Sequence, residues 1–305
     1  MKRKATLIVL LLATVLIHAQ GVAQSTKSSF KQKDETLFYE IYGKGSPIIF
    51  LAGGPGGAPS SVLPLIERYK ANHQCILLHQ RGTGLSKNIE YTQNRFNLDT
   101  FVEDVMQLYQ HLKIEKAAIV GHSWGGMLAM QVAVRFPQKV KSLLLLSTTY
   151  SLDYIMGMNK NVMSNLNQAD LDSVKILYGQ LQSGEGDKAR LAERLTAINL
   201  KGMFYNQSLT KEIFKDGPIN MQVNTLVMGD MSQRKWDISA ELAKIKVPTL
   251  IIQGDSDPIG IESAQNLHRL IKGSQLKVVK HCSHFIWIEK PAELNILLSQ
   301  FEAKL

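Results

Sequence analysis

The chain has 305 residues, 45% of them hydrophobic and 20% charged, with a formal charge of +9. This composition supports a sizeable apolar core and excludes a disordered or low-complexity chain. Lys2, Arg3 and Lys4 carry three of the positive charges, and the remaining basic residues are scattered without a stripe, so nucleic acid is not an expected partner.

Residues 1–23 read as a signal peptide: a basic start, an apolar run over residues 6–17, and small residues, Ala19 and Ala23, where a peptidase would cut. The apolar run is short for a membrane span, so no stable span is expected once the leader is removed. The mature chain is expected to be exported, to the periplasm or the exterior. It holds two cysteines, Cys75 and Cys282. Two do not make a disulfide framework, and free thiols are the favoured reading.

Residues 25–34 are polar and expected to be loose, and residues 37–42 alternate like an edge strand. Ile48-Ile49-Phe50-Leu51 is a continuous apolar run, as in a strand buried on both faces. A helix is expected over 60–69, a strand over 75–78, and a helix over 98–112. Strands follow at 117–120 and 140–146. From 148 to about 244 the chain turns helical and polar, with breaks at 183–187 and 216–218. Its methionines, Met156, Met158, Met163, Met203 and Met221, line an apolar pocket or pack ordinarily, the second being favoured for most. The strand pattern returns at 247–252 and 276–279, with a helix over 261–271 between them and another opened by Pro291. Strands alternating with helices predict an α/β fold, a mostly parallel sheet with helices on both faces. The core is expected over 30–147 and 246–305, with a helical cap over 148–245.

The central stretch is Gly121-His122-Ser123-Trp124-Gly125 between a strand and a helix, the context in which G-x-S-x-G presents a nucleophile. The tight turn needs glycines two residues before and after the serine. A serine hydroxyl also needs a base and an oriented imidazole. In a parallel sheet the C-terminal strand ends share one edge. Candidates there are Asp255 and Asp257, then His281 and His284, in the order Ser, Asp, His. From the residues alone, either aspartate is able to cap the following helix, and either histidine to serve as base. His122 is expected to pack or hydrogen-bond. The glycine-rich run at 53–57 offers bare N–H groups for a developing oxyanion, with Gly54 and the N–H of Trp124 as the pair. A phosphate-binding reading of that run lacks the Gly-Lys-Ser/Thr that would follow it.

The runs GGPGG at 53–57, QRGTGLS at 80–86, GHSWGG at 121–126, GDSD at 254–257 and SHF at 283–285 together resemble the α/β-hydrolase fold family, in its branch of proline iminopeptidases and related aminopeptidases. The resemblance implies a serine hydrolase with Ser123 as nucleophile, Asp257 as the triad acid, His284 as the base, and Gly54 in the oxyanion hole. It implies a small-molecule or short-peptide substrate and calls for no cofactor and no metal. Ala52 stands where the family has histidine, and His79 where it has aspartate. The Trp-rich, Glu-containing stretch that marks the aminopeptidases is not found. An ester or lactone hydrolase is therefore the alternative, with a non-catalytic binding module behind it. Classes that attack with a carboxylate are disfavoured by Ser123.

Overall fold

The computed structural model describes residues 25–213 and 219–305. The leader and the break expected at 216–218 lie outside the described residues.

Eight strands form one sheet: β1 (Thr26–Gln32), β2 (Glu35–Tyr42), β3 (Ser46–Leu51), β4 (His73–His79), β5 (Ala117–His122), β6 (Val140–Leu146), β7 (Thr249–Gly254) and β8 (Gln275–Val279). Their order is β1-β2-β4-β3-β5-β6-β7-β8. The β1–β2 and β2–β4 pairs are antiparallel and the others parallel. The β3, β5, β6 and β7 runs are apolar because both faces of the sheet are covered. On one face lie α2 (Leu98–His111), α3 (Trp124–Arg135) and α8 (Ile261–Leu270). On the other lie α1 (Leu63–Tyr69), the single turn α9 (Ile286–Glu289) and α10 (Pro291–Phe301).

The segment expected to be loose is instead strand β1, and β2 is not the edge. β1 pairs along its whole length with β2, from Thr26 opposite Ile41 to Gln32 opposite Glu35. Its polar composition concealed it. An edge strand buries few side chains, and here Phe30 and Gln32 are the buried ones, Phe30 against Tyr39 and His111.

Between β6 and β7 come α4 (Leu152–Ser164), α5 (Gln168–Ser183), α6 (Lys188–Lys201) and α7 (Met221–Gln233). α5 and α6 share a small apolar cluster, Leu177, Leu191 and Leu195 among its members, separate from both sheet faces. Met163 packs against that cluster and Met203 against the α10 face, whereas Met156 and Met221 are exposed. Cys75 and Cys282 are both buried and unbridged.

Candidate active site

The strand β5 is followed by Ser123, which adopts φ 52° and ψ −118°, a conformation side chains rarely enter. Its neighbours explain why the strain holds. A Cβ on Gly121 would meet the Gly125 carbonyl at 2.4 Å, and one on Gly125 would meet the Leu51 carbonyl at 2.1 Å. Only glycine lets β3, β5 and α3 approach so closely. The bend is tied down by Ser123 N–H donating to Leu146 O at 2.9 Å and by the Thr148 hydroxyl donating to Ser123 O at 2.7 Å. Ser123 is partly exposed while His122 and Trp124 beside it are buried. It stands at the N-terminus of α3, the positive end of that helix dipole.

The loop after β3 lies against this bend. A Cβ on Gly53 would sit 2.7 Å from His122 Nδ1 and 3.4 Å from Ser123 Cβ. Gly54 follows at φ 135°. Among the described residues, neither the Gly54 N–H nor the Trp124 N–H donates a backbone hydrogen bond. Gln80 joins the two sides: its amide donates to Ala52 O at 2.9 Å and accepts from the Trp124 indole at 2.8 Å.

Asp257 follows β7 and His284 follows β8, and the two meet. His284 Nδ1 lies 3.1 Å from each Asp257 carboxylate oxygen, with both side chains out of solvent. A carboxylate only accepts, so Nδ1 is a nitrogen that carries a proton, and Nε2 is the one turned away from Asp257. Asp257 Oδ1 also accepts from the Ile259 N–H at 2.9 Å. The main chain of His284 is held on both sides, its N–H donating to Met203 O and its carbonyl accepting from His122 Nε2, each at 3.2 Å. His122 packs its ring 4.8 Å from that of His284 and 4.6 Å from Trp287. Burial, and then the nearby His284, push the His122 pKa well below the usual imidazole range, so its ring is neutral and serves as a spacer. Among the described residues no hydrogen bond joins the Ser123 hydroxyl to the His284 ring; His122 is the residue that links the two. Catalytic contacts commonly tighten only when substrate binds.

The rival residues have other work. Asp255 accepts from the Cys282 N–H at 3.4 Å and lies 3.9 Å from Lys280 Nζ. Burial pushes its pKa up, but the backbone N–H groups of His281 and Cys282 outweigh that and hold it down. Neither aspartate caps α8, which is preceded by Gly260 and has no side-chain cap. His281 is exposed and contacts Tyr205. His79 donates from Nε2 to Glu40 at 3.1 Å while Nδ1 accepts from the Leu85 N–H at 2.9 Å, so it braces the loop after β4.

Two supporting residues escaped the sequence reading. Glu289 accepts from the N–H groups of Ser283, Tyr205 and Asn206, stapling the His284 loop to the segment after α6. Thr148 is the other; it sits at the expected start of the cap, where nothing in the pattern separates it from its neighbours.

A strained serine at a strand–helix bend, and an aspartate–histidine pair on later strand ends of the same parallel sheet, define the class. The family model for the alpha/beta hydrolase fold matches residues 46–291, and the chain belongs to that family. Among named relatives, the chain is 26% identical to the proline iminopeptidase of Saccharolobus solfataricus (strain ATCC 35092 / DSM 1617 / JCM 11322 / P2), over 86% of this chain and 87% of that one. It is 28% identical to the proline iminopeptidase of Heyndrickxia coagulans, over 90% and 94%. The solved structure of a Mycobacterium smegmatis proline iminopeptidase superposes with a TM-score of 0.70 at 19% identity, covering 92% of this chain and 98% of that one.

Proposed function

We propose that the protein is an exported serine hydrolase of the proline iminopeptidase type, an aminopeptidase acting on short peptides. Ser123 attacks the carbonyl, and His284 takes its proton and returns it to the leaving group. Asp257 holds the imidazole with Nδ1 protonated and stabilises the imidazolium. The N–H groups of Gly54 and Trp124 receive the oxyanion. Water, activated by the same imidazole, then releases the acyl group.

The observation that carries this reading is the buried His284–Asp257 contact beside the strained Ser123 bend. The names of the relatives support the peptidase assignment, and the composition of residues 1–23 supports export. The test is labelling with a fluorophosphonate probe: the wild-type protein labels and Ser123→Ala does not. Equal labelling of both removes Ser123 as nucleophile.

A second reading, an ester or lactone hydrolase, is favoured by Ala52 and His79. They stand where the resembling family carries histidine and aspartate, and here His79 serves as a brace. Prolyl, alanyl and leucyl naphthylamides, each free and N-blocked, separate the two. The peptidase turns over the free amines preferentially; indifference to blocking together with faster aryl-ester cleavage assigns the second reading.

A further inference from the structure

Asn220, the residue before α7, touches both glycine loops of the core. Its N–H donates to Gly56 O at 2.9 Å. Its Nδ2 donates to Gly82 O at 2.9 Å and to the Tyr91 hydroxyl at 2.8 Å. Its Oδ1 faces the other way and accepts from the N–H groups of Gln222 and Val223, capping α7. The contact is close-packed. A Cβ on Gly56 would meet Asn220 O at 2.5 Å, and one on Gly82 would meet a Val223 methyl at 2.3 Å. Asn224 adds a longer bond from Nδ2 to Pro55 O at 3.4 Å. Gly54, whose N–H the mechanism uses, is thus two residues from a carbonyl that Asn220 fixes. The loop that starts at Gln80, the residue that bonds both Ala52 O and the Trp124 indole, is fixed two residues on by the side chain of the residue whose backbone N–H holds Gly56 O.

We infer that Asn220 is a positioning residue: its backbone N–H holds the loop at 53–57 while its side-chain amide holds the loop at 80–86, so the side chain anchors the point from which the 53–57 loop is held and thereby sets where the Gly54 N–H points. The inference rests on the serine-hydrolase reading for its catalytic consequence, but the locking itself does not. A capping residue needs only an acceptor oxygen, and Ser, Asp or Asn would supply one. Only the amide both caps the helix and donates to Gly82 O and Tyr91, so the donor half is the part that serves the core.

The test uses Asn220→Ser, which keeps an acceptor for the cap and removes the Nδ2 donors. Asn220→Ala, which removes both, is the comparison. Aryl-ester or aminoacyl-naphthylamide turnover is measured beside amide hydrogen exchange over 53–57 and 80–86. The expected result for Asn220→Ser is a fall in kcat of about tenfold or more with KM little changed, because a misdirected donor is lost mainly in the transition state. Faster exchange in both loops and an unchanged far-ultraviolet spectrum should accompany it. Wild-type kcat together with wild-type exchange in Asn220→Ser would overturn the inference. So would a defect confined to Asn220→Ala, which would make the residue a cap alone. If Ser123→Ala still labels with the fluorophosphonate, the hydrolase reading fails separately, and the exchange measurement still decides whether the loops are locked.

Discussion

Asp257 reaches His284 with both oxygens, and both side chains are buried. An amide there keeps the shape but presents N–H groups to Nδ1, which would turn the ring's proton to the wrong nitrogen. Asp257→Asn is therefore expected to lower kcat by about 10²–10⁴-fold with the fold intact, by analogy with triads in which the acid sets the tautomer. Steady-state rates with a circular-dichroism check measure it. A mild effect there, paired with a severe one for Asp255→Asn, would reverse the assignment. At this scale the sequence was legible where chemistry restricts the residue type. Only glycine fits at 121 and 125, and so the bend could be read. The choice between Asp255 and Asp257 could not be read from the residues themselves. Both follow the same strand, and which one faces the imidazole depends on how the turn to Gly260 is wound. Glu289 was illegible for another reason: three backbone donors converge on it, one from six residues earlier and two from the distant segment after α6, and no spacing in the chain announces that.

The loop after β4 shows how elements are tied across the fold. Arg81 forks onto Asp104 of α2, Nε to Oδ2 at 2.7 Å and a terminal nitrogen to Oδ1 at 2.5 Å, and also donates to Arg95 O. Both side chains are buried. Burial pushes the Asp104 carboxyl up to about 6, with the Arg81 guanidinium beside it opposing the rise. Asp104→Asn leaves the guanidinium buried without a counter-charge. It should cost about 3–5 kcal/mol of stability, more than exposed ion pairs are worth. Urea unfolding of wild type and variant checks this; a loss below 1 kcal/mol would mean the site is wetter than the structure shows. Strand and helix identity was readable wherever a run was apolar or periodic, which covers the parallel part of the sheet and α2, α3, α8 and α10. Strand β1 was missed because its partner supplies the order: seven mostly polar residues become a strand only when β2 offers them a ladder.

Across the whole molecule, the candidate site residues gather at one edge of the sheet, and polar contacts cross from the α4–α7 segment to the core there. Met203 O receives the His284 N–H, Asn161 donates to Pro258 O, Asn220 bonds Gly56 and Gly82, and Asp230 accepts from the Leu98 N–H. Strand order and helix placement could be anticipated from the alternating pattern, but these crossing points could not. Each joins residues far apart in the chain through a single polar contact that leaves no periodicity. The α5–α6 hairpin differs from the rest of the segment because it centres on an apolar cluster separate from both sheet faces, to which Met163 of α4 and Leu166 just after it also contribute. A unit packed largely on its own cluster can diverge, lengthen or be exchanged like a cassette while the strand ends of the sheet stay in register. One chassis can thereby be refitted to new molecules without rebuilding its engine.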